Sequence, residues 1–262
     1  MKNHFIISYF GNKRNEVETL YNLIKDDLIN KTTIIEPFCG SSALSYYLST
    51  QHPKKYNYVL NDNSTYLIEV YKILQDEEKT EDYIKILNDM HTAIFKEKTP
   101  EERKTKYNSY KNDNLISWIY FQKVYSIRPG LYPIREEKRF INYNFNDILK
   151  APIINFLRTE NIKFTNDCGV NCLNSYKDDE NNFIFLDPPY LQTCNDFYQN
   201  TSVNIYEYLY NNNITNMKAK IILILEDIWI IKLLFNSNKI IQTNNKRYQL
   251  SKKKTSHLTI SN

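Results

Sequence analysis

Four consecutive residues, Asp187-Pro188-Pro189-Tyr190, combine a carboxylate, two prolines and an aromatic ring. They follow Asn182-Phe183-Ile184-Phe185-Leu186, an apolar run with strand character. Proline fixes φ and has no N–H, and the residue before each proline is held extended. The Asp187 carboxylate and the Pro188 carbonyl can therefore both accept from one NH2 group. The Tyr190 ring can stack on the base carrying that group. An aromatic amine is a weak nucleophile because its lone pair is delocalised into the ring. Two fixed acceptors draw it toward tetrahedral geometry, so methyl transfer to that nitrogen becomes a matter of positioning and electrostatics. Taken alone, the four residues also fit a plain turn after a strand.

A second group could hold the other reactant. Ile35-Glu36-Pro37-Phe38-Cys39-Gly40-Ser41-Ser42-Ala43 lies between a short β-branched strand, Thr32 to Ile35, and a helix, Ser42 to Thr50. An open α/β sheet binds nucleotide-like ligands at such a turn. The segment is not G-x-G-x-x-G, so it does not imply a dinucleotide. A strand–helix turn with a serine cap reads equally well. A second strand, Tyr56 to Leu60, is followed by Asn61-Asp62-Asn63. An acid at a strand end about 20 residues after a glycine turn commonly holds ribose hydroxyls; a solvated turn is the plainer alternative. Tyr9-Phe10-Gly11-Asn12-Lys13-Arg14 could close over a cofactor carboxylate. The chain has four glycines, where average usage predicts about 18. Gly11 and Gly40 sit in the two cofactor-type turns and Gly130 in a basic segment, where φ > 0 or close backbone approach is expected.

The elements that must position these groups fall into three stretches. Residues 1–65 read as helix, strand, helix, strand. Glu16 to Ile29 is amphipathic, with Val17, Leu20, Tyr21, Ile24 and Leu28 on one face. Residues 66–159 break the alternation, with helices expected at Tyr66 to Leu74, Thr80 to Phe95 and Leu115 to Tyr125. A charged stretch, Lys96 to Lys106, lies between the last two. Arg128, Arg135, Lys138 and Arg139 interleave with Tyr132, Phe140 and Tyr143, a pattern suited to phosphate contacts, groove readout and stacking. A solvated loop would look the same. Residues 160–262 return to strands at Ile162 to Thr165, Phe183 to Leu186, Ile221 to Leu225, Lys239 to Gln242 and His257 to Ile260. Lys246-Arg247 and Lys252-Lys253-Lys254 suggest a basic hairpin against a DNA backbone, or a solubilising turn.

Composition narrows the classes. The 262 residues allow one α/β domain with an insertion or two small domains. The net charge of +4 permits nucleic-acid binding without demanding it. The longest apolar run, Ile221 to Leu225, is a strand length and too short to span a membrane. No signal peptide is visible. Among Cys39, Cys168, Cys172 and Cys194, only Cys168 and Cys172 are close in sequence. No second pair or histidine cluster accompanies them, so free thiols in a reducing compartment are expected rather than zinc.

In order and spacing these segments resemble the Dam-like family of DNA adenine methyltransferases. The family's K-W-x-G-G-K is similar to Ser8-Tyr9-Phe10-Gly11-Asn12-Lys13. Its E-P-F-x-G-S-G is similar to Glu36 to Ser42, and its N-D-x-N to Asn61-Asp62-Asn63-Ser64. A D-F pair resembles Asp167-Cys168, and D-P-P-Y stands intact at Asp187 to Tyr190. G-L-Y-R, then F-N, resembles Gly130-Leu131-Tyr132-Pro133 and then Phe140. The terminal E-L-L-I-x-N is similar to the last residues, through Leu258, Ile260 and Asn262.

The resemblance implies an α/β fold: a Rossmann-like, mostly parallel methyltransferase sheet with an inserted, mainly helical target-recognition subdomain. It implies a catalytic, cofactor-binding domain of 1–65 and 160–262 and a DNA-binding subdomain of 66–159. The methyl donor would be S-adenosylmethionine, giving S-adenosylhomocysteine, with no metal. The substrate would be the N6 amine of an adenine flipped out of double-stranded DNA. Tyr9, Gly11, Lys13, Phe38, Gly40, Asp62, Asp167 and Asp187 would bind cofactor. Asp187, Pro188 and Tyr190 would be catalytic, and Arg128, Arg135, Lys138, Arg139 and Phe140 would bind DNA. A separate cognate restriction endonuclease, a monomeric state, no membrane association and a cytoplasmic, nuclear or viral-factory location complete the expectation. RNA adenine or the exocyclic amine of cytosine are alternative substrates, although the cytosine enzymes usually carry Ser before P-P-Y. A non-catalytic DNA-binding module of the same fold is the remaining alternative.

Three departures stand out. Tyr9 replaces Trp and keeps a stacking face. Ser42 replaces the second glycine, adding a Cβ near the ligand while suiting φ < 0. Pro133 stands where family members reading GATC place an arginine, and proline cannot make the bidentate guanine contact.

Overall fold

The computed structural model describes residues 6, 13–110, 114–125, 140–190, 205–236, 239–247 and 254–262. The chain begins α1 (Val17–Ile24), β1 (Thr33–Glu36), α2 (Ala43–Gln51), β2 (Asn57–Asn61). Helices follow: α3 (Thr65–Gln75), α4 (Glu77–Phe95), α5 (Pro100–Ser109), α6 (Asn114–Tyr120) and α7 (Ile153–Leu157). The remainder runs β3 (Ile162–Thr165), α8 (Gly169–Tyr176), β4 (Asn182–Leu186), α9 (Ile205–Asn211), β5 (Lys220–Glu226), α10 (Trp229–Leu234), β6 (Lys239–Arg247) and β7 (Lys254–Ser261). Two compact units result: Met1–Val17 with Thr65–Ile162, and Glu18–Ser64 with Lys163–Asn262. The first is helical and the second is built on the sheet.

The sheet has seven strands in the order β3-β2-β1-β4-β5-β7-β6. β2, β1, β4 and β5 run parallel, with Thr33 opposite both Asn57 and Asn182, and Phe183 opposite Lys220. Strands paired this way need covered crossovers, so both their faces are buried and they read as unbroken apolar runs. Phe183 to Leu186 and Ile221 to Leu225 are all 3% exposed or less. β7 reverses direction: it pairs antiparallel with β5 on one side and β6 on the other. β6 and β7 pair as far as Arg247 opposite Lys254, while Lys252 and Lys253 of the basic run lie outside the described residues. Each strand expected from sequence is present, although β6 runs five residues past its expected end and β7 begins three residues before its expected start.

Differences from the sequence expectations have local causes. The first helix stops at Ile24 and tightens to a 3-10 turn over Lys25–Leu28. Asp26 and Asp27 sit there, and such side chains compete with helical backbone bonds. Leu28 still reaches the core. In the helical unit, α5 forms inside the charged stretch. Thr99 Oγ1 accepts from Glu102 N at 3.2 Å and Glu102 Oε2 accepts from Thr99 N at 2.9 Å, with Pro100 at the first helical position. The third expected helix is α6 continued by one π turn, Phe121–Tyr125.

Candidate active site

In an open α/β sheet the ligand crevice lies where strand order reverses, outside the carboxyl ends of the strands. Here β1 is flanked by β2 and β4. The glycine turn leaves β1 and the D-P-P-Y tetrad leaves β4, so sequence-distant groups emerge side by side at that point.

The turn after β1 is held from several directions. Glu36 ends the strand, 2% exposed, and its Oε1 accepts from Ser45 N at 2.9 Å and from Ser45 Oγ. Burial pushes the Glu36 carboxyl up to about 7 from its ordinary 4.5; the Ser45 bonds oppose this and the Asp187 charge adds to it. Gly40 sits at φ 46° and donates its N–H to Asp62 Oδ2 at 3.0 Å. Ser64 N reaches Asp62 Oδ1 at 2.9 Å. Burial raises the Asp62 pKa, and the two backbone bonds oppose the rise. Each Asp62 oxygen keeps a second lone pair for a hydroxyl donor.

Ser42 is a correction to the sequence reading. It lies at φ 52°, in the left-handed region, and caps α2 without a side-chain hydrogen bond. The position asks for glycine because of its backbone. A non-glycine residue there costs roughly 1–2 kcal/mol. Ser42→Gly is therefore expected to raise stability by about 1 kcal/mol after the added chain entropy, or about 2–4 °C in Tm. Differential scanning calorimetry would show it, and an unchanged or lower Tm would mean that serine carries no strain.

Asp167, after β3, is exposed; its Oδ1 accepts from Cys168 N at 2.7 Å and Asn171 Nδ2 at 3.0 Å. Phe38 packs on the start of α8, where a Cβ on Gly169 would overlap its ring. Gly169 thus seats the aromatic of the glycine turn, a role invisible in sequence because it is steric and long-range. Cys39 is buried and its thiol is pushed well above its ordinary value by burial, then by Asp62 and Glu36, so it is a poor nucleophile.

At the end of β4, Tyr190 Oη donates to Asp187 Oδ1 at 3.2 Å. Pro188 is buried. Tyr206 Oη donates to the Pro189 carbonyl at 3.1 Å, fixing the second proline. The Tyr190 ring stands edge-to-face with His257, centroids 5.3 Å apart at 68°. His257, on β7, lies opposite Glu226 of β5. Neither Tyr206 nor His257 carries a sequence signal that separates it from ordinary core residues.

Lys13 lies in the helical unit, 4% exposed, its carbonyl accepting from Glu16 N and Val17 N at the entry to α1. Phe140, in the same unit, is partly buried and meets Tyr107 edge-on at 6.4 Å. Tyr9, Gly11, Arg128, Gly130, Tyr132, Pro133, Arg135, Lys138, Arg139 and Cys194 lie outside the described residues. Among the described residues, no cluster of His, Cys, Asp or Glu could hold a metal ion, and no helix is long and apolar enough to cross a membrane. Cys39, Cys168 and Cys172 are free thiols.

Sheet order defines a Rossmann-like, mostly parallel α/β fold with the glycine turn and the D-P-P-Y tetrad at adjacent strand ends. A family model described as D12 class N6 adenine-specific DNA methyltransferase matches residues 9–249, and the chain belongs to that family. Its reaction is methylation of adenine in DNA at N6, with S-adenosylmethionine the methyl donor the family implies. The Type II methyltransferase M.CviBI of Paramecium bursaria Chlorella virus NC1A is 26% identical over 206 residues, covering 73% of this chain and 71% of the relative. A solved structure of yhhF from Escherichia coli, which carries a provisional methyltransferase name, aligns over 97% of this chain and 89% of its own at 13% identity, TM-score 0.36.

Proposed function

We propose that the crevice at the carboxyl ends of β1, β2, β3 and β4 binds S-adenosylmethionine beside an adenine flipped from duplex DNA. The observation that supports it best is the placement of Asp187-Pro188-Pro189-Tyr190 next to the glycine turn at the reversal of strand order. The residues present fit an adenosyl ligand. Gly40 brings backbone close, Phe38 gives an apolar flank, and Asp62 and Asp167 offer acceptors for hydroxyl or ammonium groups. Tyr9, Gly11 and Lys13 are proposed as further cofactor-binding residues. When bound, the cofactor supplies an electrophilic methyl group on a sulfonium.

The chain's own residues then hold the nucleophile. Asp187 and the Pro188 carbonyl accept from the adenine N6 hydrogens, localising the lone pair, and Tyr190 supports the base. The prolines keep their carbonyls free and rigid. Residues 66–159 are proposed to recognise the target, with Arg128, Arg135, Lys138, Arg139 and Phe140 at the DNA. Cytoplasmic or nuclear location, a monomeric state, action without a metal and a separate restriction endonuclease partner belong to the same reading.

Tritium transfer from labelled S-adenosylmethionine to duplex DNA and to RNA tests the substrate. Label in DNA N6-methyladenine, absent with Asp187→Ala, is the expected result; equal labelling of RNA would overturn it. Because Pro133 replaces the guanine-reading arginine, the target is expected to differ from GATC, or guanine is read by Arg128 or Arg135. Methylome sequencing of an expressing strain checks this. A plain GATC signal that survives both Arg128→Ala and Arg135→Ala would sink it.

A further inference from the structure

We propose that Asn61 is a positioning residue that sets the width of the cofactor crevice. The inference rests on the cofactor reading above and names the residue that holds its two sides together. Asn61 ends β2 and is fully buried. Its Nδ2 donates to the Pro37 carbonyl and to the Asp167 carbonyl, both at 2.9 Å. Its Oδ1 accepts from Thr165 Oγ1 at 2.8 Å and from Asp167 N at 3.0 Å. Its own carbonyl accepts from Cys39 N at 2.7 Å.

A primary amide has two N–H donors and two lone pairs on oxygen, and all four are used. They tie the turn after β1 to the turn after β3 across the end of the intervening strand. On one side Pro37 and Cys39 flank Phe38 and lead into Gly40. On the other stands Asp167. Asp62 follows Asn61 directly, so the same anchor locates the carboxylate that grips Gly40 N. Neither an acidic nor an apolar side chain of similar size fits the pattern. Aspartate would turn both donors into an acceptor facing two carbonyls, and leucine would leave four buried polar groups without their partner. Asn61 acts through the groups it holds, since binding sites require placement within about 0.5 Å.

The test compares S-adenosylmethionine titrations and full kinetics for wild type, Asn61→Asp and Thr165→Val. Asn182→Asp serves as a buried amide control; its Nδ2 bonds Tyr176 O at 2.9 Å, at the far end of β4. Asn61→Asp is expected to raise Kd and KM for S-adenosylmethionine by roughly 10–100-fold, in line with lost buried hydrogen bonds. Its kcat at saturating cofactor should stay within about threefold, and affinity for duplex DNA should not change. Thr165→Val, which loses a single bond to the amide, should raise the same KM by a few fold and keeps the test alive if Asn61→Asp fails to fold. A merely structural asparagine would instead lower Tm and the active fraction with KM unchanged, as expected of Asn182→Asp. Unchanged KM in Thr165→Val and in folded Asn61→Asp overturns the proposal alone. Wild-type protein that binds no S-adenosylmethionine overturns the cofactor reading as well.

Discussion

Asp187→Asn is expected to lower kcat for DNA methylation by about 10²–10³-fold at saturating cofactor and DNA, the usual cost of removing one preorganised electrostatic contact. The side chain is nearly isosteric, so β4 and the prolines should stay in place. What changes is the charge and the number of acceptors. The carboxylate takes the Tyr190 hydroxyl on Oδ1, and as an acceptor-only group with several lone pairs it can also take the substrate amine. An amide offers one acceptor and points a donor at an amine that has hydrogens of its own. The lone pair is then no longer drawn out of the ring. Single-turnover assays isolate this step from product release. A variant within tenfold of wild type would show that the clamp does not depend on the carboxylate.

Glu36→Gln should produce the second large effect, on stability rather than chemistry. The folded Glu36 pKa is about 7 against an ordinary 4.5. Its unfolded form therefore binds fewer protons between those values, so stability contributed by this group is lost as pH rises through that window. Above pH 7 the buried charge costs on the order of 3 kcal/mol. Glutamine keeps an acceptor for Ser45 and carries no charge. The variant should match wild type near pH 4.5 and exceed it near pH 8 by several degrees in Tm. Thermal unfolding of both proteins across pH 4.5–8 measures the difference. A pH-independent gap would place the proton elsewhere. Asp62 has the same sign, its pKa also raised by burial, so the variant keeps some of this slope.

How much of this was legible in sequence depended on whether the signal was local. The parallel strands could be read because burial on both faces leaves no polar alternation, as in Ile221 to Leu225. The tetrad and the glycine turn could be read because proline and glycine have fixed backbone meanings, and Gly40 does lie at positive φ. The helix α5 was within reach through Thr99-Pro100-Glu101-Glu102 but was masked by its charge. Gly169, Tyr206 and His257 were out of reach, since each matters only through a partner distant in sequence. Ser42 lies in the left-handed region, which its sequence position does not reveal because a serine says nothing about its own φ.

The strand order has a consequence for how the chain reaches this state. β1 must pair with β4, roughly 150 residues later, after the helical unit has been made, and contacts of such long range close slowly. β5 cannot be paired on its outer side until β7 arrives, and β7 follows β6 in the chain. During synthesis, then, the helical unit can collapse on its own while an apolar strand, Ile221 to Leu225, waits with a bare edge. Such an edge templates association between chains. The nascent chain is most open to edge-to-edge association in that interval, which ends when β7 pairs with β5.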